Sequence, residues 1–357
     1  MKRIKRPKDF WRGASDEEKY DYLVNSPFAP NEIKRFHKAE DVLLKDLIKG
    51  LSTESHQSDF AVVEEGCGPG RVIERIAYWC EIEGLPKPPK FIIGVDFEEK
   101  MLQNCISHLI GNGGKIRDWE FKSLAQKIAE NKKISKKKAN DIVRKRVILI
   151  EADATKPHLY FSSLIPIVIV AFGTFGNIEY REDFLSSMSE ILSGNNGILF
   201  LSVFNRKKWE VGEKRYRELA ERHFRQLRDT TYNPDRGEFT SLSGFLSRWF
   251  YAEEFKDILK PYFTLQTIKH IAEEVGIAAT LRSRRSSPQL RKLLATFIKG
   301  KLTEKPGIYL RCPECGAILK NGILPLNNKT TLVCSRNPEH EYEVREDRGF
   351  LIPVLEV

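Results

Sequence analysis

Short, nearly unbroken apolar runs alternate with stretches of helical period along most of the chain. Phe60–Glu64, Phe91–Asp96, Val147–Ile150, Ile165–Ala171 and Gly197–Phe204 are dense in β-branched and aromatic residues. Runs of this kind suit strands buried on both faces of a parallel sheet. Between the first two, Val72, Ile73, Ile76 and Ala77 recur at helical spacing, and a further helix is predicted from Arg181 to Leu192. Phe263–Ile271 and Ala278–Leu281 supply the last two strands of a seven-stranded sheet. Strand and helix in alternation predict a doubly wound α/β fold with helices on both faces. Ahead of it, Ile33, Phe36, Ala39, Val42, Leu43, Leu47 and Leu51 predict a helix over Glu32–Leu51, in a helical extension covering residues 1–58. Tyr20 and Tyr22 of that extension read as packing aromatics, with a pocket role as the alternative.

Two stretches exceed what a strand–helix–strand connection needs. Residues 111–146 are lysine-rich, with Lys132-Lys133 and Lys136-Lys137-Lys138. They predict one or two solvated helices entering the third strand at the amino-terminal edge of the sheet, away from the ligand edge. Residues 205–250 follow the carboxyl end of the fifth strand and carry Trp209 and Arg215, Arg217, Arg222, Arg225 and Arg228. An insertion at that edge is placed to form a lid over an acceptor. Residues 282–306 read as a basic linker with a short amphipathic helix, and 307–357 as a separate small module.

Composition narrows the class. The chain has 357 residues, 41% hydrophobic and 30% charged, values of a globular protein rather than a disordered one. No apolar run has membrane-spanning length, and the basic start lacks the apolar stretch of a signal peptide. Six cysteines, three clustered near the end, do not form a secreted disulfide framework, so the expectation is a cytoplasmic protein without membrane contact. A net charge of +10 fits either an anionic partner or lysine-rich helices that solvate the surface.

The chemistry gathers at Glu64-Glu65-Gly66-Cys67-Gly68-Pro69-Gly70-Arg71, between the first strand and its helix. Glycine accepts positive φ and lets a ligand approach the main chain. The G-x-G-x-G spacing and the missing P-loop lysine argue against a nucleotide-phosphate site. Glu64, ahead of the glycines, would repel a pyrophosphate and suit a cation. Phe91-Ile92-Ile93-Gly94-Val95-Asp96 then ends the second strand on an acid, the residue that binds ribose hydroxyls in dinucleotide folds.

Taken together the two stretches resemble motifs I and II of the class I S-adenosylmethionine (SAM)-dependent methyltransferases, with Glu64 standing where Asp is commoner. The resemblance covers residues 59–281 and implies a seven-stranded Rossmann-like sheet. It also implies a donor site of Glu64, Gly66, Cys67, Gly68, Gly70, Asp96, Phe97, Asp153, Ala154 and Phe172. Within it, Glu64 would face the ammonium group, Asp96 the ribose and Asp153 the adenine, although Asp153 also reads as the cap of the next turn. The loop Phe172-Gly173-Thr174-Phe175-Gly176-Asn177 lacks the Asn/Asp-Pro-Pro-aromatic signature of many base-amino methyltransferases. It looks more like loops serving small molecules or free amino groups, with Thr174 and Asn177 as candidate acceptor-orienting residues and no assigned general base.

The tail carries a second signal. Cys312-Pro313-Glu314-Cys315-Gly316 is a knuckle that points two thiolates at one centre, and Cys334 and His340 complete a tetrahedral Cys3His set. A module this small gains stability from a structural zinc; a redox Cys-x-x-Cys and a metal-free ribbon are the alternatives. Arg348-Gly349-Phe350-Leu351-Ile352-Pro353 is similar, in part, to the end of the small zinc-ribbon proteins that activate translation-related methyltransferases. That resemblance keeps RNA or a translation protein open as the acceptor or partner. A non-catalytic SAM- or RNA-binding adaptor and a nicotinamide-dependent oxidoreductase are the competing classes.

Overall fold

The computed structural model describes residues 10, 31–53, 59–116, 119–163, 165–193, 197–222, 227–284, 307–327 and 331–355. Tyr20, Tyr22, Arg225 and residues 285–306 of the expected linker lie outside the described residues. In chain order the main elements are α1 (Asn31–Thr53), β1 (Ala61–Glu65), α2 (Arg71–Glu81), β2 (Phe91–Asp96), α3 (Glu99–Ile110), α4 (Leu124–Lys132), α5 (Lys136–Arg146) and β3 (Val147–Glu151). Then come β4 (Phe161–Ser163), β5 (Ile167–Phe172), α6 (Thr174–Asn177), α7 (Arg181–Ser193), β6 (Ile198–Phe204), α8 (Trp209–Arg222), α9 (Ala252–Leu259), β7 (Phe263–Ile271) and β8 (Gly276–Ser283). The tail forms β9 (Ile308–Arg311), β10 (Ile318–Ile323), β11 (Thr331–Cys334), β12 (Glu341–Asp347) and β13 (Phe350–Pro353).

The sheet runs β7-β8-β6-β5-β1-β2-β3. All neighbours from β6 to β3 are parallel, and β8 inserts antiparallel between β6 and β7. This is the Rossmann-like order with one added hairpin strand, and the chain reverses direction across the sheet between β1 and β5. All residues of β1, β2 and β3 are buried, as central parallel strands must be. One sheet face packs against α1 to α5, with Phe36, Ile73, Ile76, Leu102, Leu109 and Ile128 in its core. The other packs against α7, α9 and the tail, around Met188, Phe250, Phe255 and Leu310.

The 111–146 insertion contains the two expected helices and a small hairpin, 114–116 with 119–121. Ser123 caps α4 in a reciprocal box with Gln126. The 205–250 insertion holds α8 and a three-stranded antiparallel sheet over residues 231–248 that has no strong signal in the sequence. Its own core is Phe10, Tyr216, Phe239, Phe245 and Trp249. Part of its positive charge is paired: Arg217 with Glu213, Arg206 and Arg248 with Glu254, and Lys207 with Glu274.

The tail does not stand apart. β9 pairs with β4, a three-residue strand between β3 and β5, so the tail sheet recruits a strand from the middle of the chain. Val354 bridges Glu151, and the Leu355 amide donates to the Glu151 carbonyl at 2.8 Å. These contacts cover the β3 edge, which would otherwise expose unpaired main-chain groups. Arg345 reaches Glu151 and Glu99, and Arg348 donates to the Gln103 carbonyl at 3.0 Å.

The glycine that begins α2 leaves no room for a side chain. Gly70 opens α2 at φ 83°, and a Cβ there would lie 2.2 Å from the sulfur of Cys105. Gly70→Ala is expected to cost about 2–4 kcal/mol through left-handed strain and overpacking. Urea unfolding checks this; a change below about 0.5 kcal/mol, the usual surface range, would contradict the close approach.

Candidate functional site

The carboxyl ends of β1, β2, β3 and β5 converge on one cavity of ≈440 Å3. It is lined by Gly66 and Gly68 from the glycine turn, by Asp96, Phe97, Glu98 and Met101 after β2, and by Asp153, Ala154, Thr155 and Lys156 after β3. Thr174, Asn177, Ile178, Glu179, Tyr180 and Asp183 close it from the β5 side. Cavities at this edge, where the chain reverses direction, are where open α/β sheets hold ligands.

Local rules explain the turn. Gly66, Gly68 and Gly70 all have positive φ (70°, 51° and 83°). A Cβ on Gly68 would meet nothing within 4 Å, so the absent side chain leaves open cavity. A Cβ on Gly66 would come within 2.9 Å of Thr174, which brings the β5 loop directly over the turn. The Gly66 and Cys67 amides both donate to the Val95 carbonyl at 2.9 Å, fixing the turn to the end of β2.

Asp96 accepts from the Gly68 amide at 2.8 Å and from the Glu98 amide at 3.0 Å. Burial pushes its carboxyl up to about 6, against the pull of those two amides. Asp153 both caps the next turn and faces the cavity; its Oδ1 accepts from the Thr155 amide at 3.0 Å and hydroxyl at 2.7 Å.

Glu64 and Glu65 point to opposite faces of β1, as successive strand residues do. Burial pushes Glu64 up to about 8, opposed by the nearby Arg71 guanidinium, and its Oε2 has no hydrogen-bond partner among the described residues. Arg71 is held by Glu40 and Asp41 of α1 at 2.8 Å each and lies 5.9 Å from the Phe172 ring. Glu40 is fully buried and also accepts from Ser202. The sequence contains no local sign of this network, because its members lie on α1, α2 and β6.

Of the residues named for a donor site, Gly66, Gly68, Asp96, Phe97, Asp153 and Ala154 line the cavity, as do Thr174 and Asn177. Glu64, Cys67, Gly70 and Phe172 are not among the lining residues. Cys67 is buried, and its thiol is pushed up by a hydrogen bond with Cys105 and by burial. Glu98, Met101, Thr155, Lys156, Ile178, Glu179, Tyr180 and Asp183 carry no sign in the sequence of lining a cavity. They come from helix starts and turns whose direction depends on packing.

In the tail, Cys312, Cys315, Cys334 and His340 place their ligand atoms within 4.8 Å of one another. Ligands ~2.3 Å from a tetrahedral ion lie ~3.8 Å apart, so the set fits a four-coordinate metal. The Arg336 and Asn337 amides point at the Cys334 sulfur at 3.3 and 3.4 Å. Burial alone would raise that thiol, but hydrogen bonds from these amides and from Cys315 and Cys312 together bring it down to about 7. His340 turns Nδ1 toward Cys312 at 3.3 Å and Nε2 toward Glu314 at 3.1 Å, the outer-carboxylate arrangement common for metal-bound histidine.

No family model and no curated protein matches the chain. Among solved structures, it is similar to magnesium protoporphyrin IX methyltransferase from Synechocystis PCC 6803 with bound SAH, at 12% identity over 77% of this chain and 100% of that one, TM-score 0.44. A complex containing the Haloferax volcanii Trm112 methyltransferase activator is 10% identical over 75% of this chain and 98% of that one, TM-score 0.38. A structure named for zinc-dependent alcohol dehydrogenases from Rhodobacter sphaeroides is 10% identical over 79% and 99%, TM-score 0.40. Likenesses this weak carry no weight for activity, which has to be argued from the chain's own residues.

Proposed function

We propose that this chain is a SAM-dependent methyltransferase acting on a small molecule or amino group, with a structural zinc in its tail. The observation that carries the reading is the cavity at the β1–β5 reversal. It brings together the glycine turn, Asp96 and Asp153, beside a buried Glu64 whose free oxygen suits an ammonium. In this reading the glycines would allow close main-chain approach, Asp96 would take the ribose hydroxyls, and Asp153 the adenine amino group.

The bound donor would supply a sulfonium methyl, which the acceptor's lone pair takes as the carbon–sulfur bond breaks with its electrons left on sulfur. The protein's part is then positioning rather than acid–base work. Thr174 and Asn177 are the acceptor-side polar groups, since they lie on the loop facing the glycine turn. An acceptor arriving as an ammonium has to lose a proton first; the exposed mouth at Glu179 and Asp183 lets solvent take it. For zinc, Cys312, Cys315, Cys334 and His340 would hold the ion, leaving no open position for catalysis.

The charge of the cavity supports the acceptor reading. Asp96, Glu98, Asp153, Glu179 and Asp183 line it against a single Lys156, which disfavours a polyanion at the mouth despite the chain's +10. No described helix is long and apolar enough to cross a membrane. The test is transfer of labelled methyl from SAM to separated RNA, protein and small-molecule fractions of a cell extract. Label in the small-molecule or protein fraction is expected. Label in RNA, lost on ribonuclease treatment, would replace this acceptor class, and SAM binding without any transfer would favour the adaptor.

A further inference from the structure

We propose that Tyr160 is a positioning residue for the donor cavity, acting through the buried carboxyl of Glu65; the proposal rests on the donor-site reading above. Two of the cavity's walls come from chain segments that do not pair with each other. The glycine turn follows β1 and the Asp153–Lys156 segment follows β3, and β2 lies between those strands. Strands two places apart in a sheet are separated by ~10 Å. Main-chain bonds fix each segment to β2 alone: Gly66 and Cys67 donate to the Val95 carbonyl, and Ala152 donates to the Asp96 carbonyl at 3.1 Å.

The direct tie between the two walls is a side-chain one. Tyr160 ends the turn Pro157–Tyr160 that continues from Lys156, and its phenol donates to Glu65 Oε2 at 2.9 Å. Glu65 immediately precedes Gly66. Both groups are buried, at 2% and 0% exposure, so no solvent competes for the bond, and losing it leaves a buried acceptor unsatisfied. Burial holds the Glu65 carboxyl well above the usual carboxylate range, against the pull of the Tyr160 phenol. The far end of the segment is anchored as well: His158 contacts the Ser187 hydroxyl at 2.6 Å, and β4 pairs with β9. Tyr160 is where that anchored segment is registered against the glycine turn.

The test uses the full chain with Tyr160→Phe and Glu65→Gln. Removing the phenol oxygen is expected to weaken binding of SAM and of S-adenosylhomocysteine about 3- to 10-fold, the scale of one buried hydrogen bond. Turnover at saturating SAM stays unchanged. Glu65→Gln keeps an acceptor of the same shape and is expected to bind within about twofold of the parent. Hydrogen exchange gives a donor-independent readout: in Tyr160→Phe the amides of 66–68 and 153–156 exchange faster, while those of β6 and β8 do not. Unchanged affinity with unchanged exchange, or with exchange raised uniformly across the sheet, overturns the proposal and leaves Tyr160 a packing residue. If Tyr160→Phe does not fold, Glu65→Met removes the acceptor at similar volume and is read the same way. A parent chain that binds no SAM sinks the donor reading alone, and the exchange comparison still decides the tie.

Discussion

Glu64→Gln is expected to weaken SAM binding by about 10- to 150-fold, the ~1.5–3 kcal/mol of a hydrogen bond to a charged group. The side chain keeps its shape, so the fold should survive; what goes is the negative charge for the donor's ammonium. The same carboxyl makes binding pH-dependent in a definite direction. In the free protein burial holds Glu64 up at about 8, so at pH 6 it is protonated and has to release a proton before it can pair with a cation. Affinity should therefore rise by up to ~tenfold per pH unit from pH 6 and level off near 8, by linkage. Calorimetry in buffers of different ionisation enthalpy should detect close to one proton released near pH 7, and Glu64→Gln should abolish both the slope and the release. A flat profile for the parent chain would rule out Glu64 as the ammonium's partner. The stability effect has the opposite sign. Because the folded value lies above the unfolded one, Glu64 favours the fold fully below about 4.5, and that contribution is lost as pH rises through about 8.

Loss of the proposed tail zinc is the second large effect. Cys315→Ser, or treatment with a strong chelator, is expected to remove zinc and unfold the module formed by β9 to β13. Structural zinc supplies apparent binding energies of ~10–16 kcal/mol in small zinc domains, and Cys312 and Cys334 sit within the tail's part of the core. The damage should extend past the module. β4 pairs with β9, and Glu151 at the end of β3 is bridged by Val354 and held by Arg345. The chelated protein should therefore melt several degrees lower and lose exchange protection at β3 and β4, as well as in β9 to β13. Metal analysis of purified protein should give one zinc per chain. Zinc far below one, with a melting curve indifferent to chelator, would return the tail to a metal-free ribbon.

The parts of the fold legible in the sequence are those set by local periodicity. Each strand of the seven-stranded sheet lies within a few residues of its expected place, and the central ones are legible because strands buried on both faces must be continuous apolar runs. The last differs most, Gly276–Ser283 against the expected Ala278–Leu281. The glycine turn was legible because positive φ at Gly66, Gly68 and Gly70 admits few other residues. The knuckle was legible because two thiols separated by two residues can converge only across such a turn. The strands at 231–248 were missed, since three-residue strands are too short to show a period. Cys67 and Gly70 were assigned to the donor by motif alone. In the structure Cys67 sits against Gly94 and Gly70 against Cys105, both in the helix-packed core.

By itself the sequence determined the strands, the turn, the acids at the ends of β1 and β2, and the four clustered ligands of the tail, since each depends on residues close together in the chain. Only the tertiary structure decided which distant groups meet. It set Arg71 between Glu40 and Asp41 of the leading helix, joined Phe161–Ser163 to a sheet nearly 150 residues further along the chain, and seated the tail on β3. It also brought Tyr160 to Glu65 across an intervening strand. The reason is that a buried polar side chain needs a partner. Its own sequence neighbourhood states the need, but packing elsewhere chooses the residue that meets it.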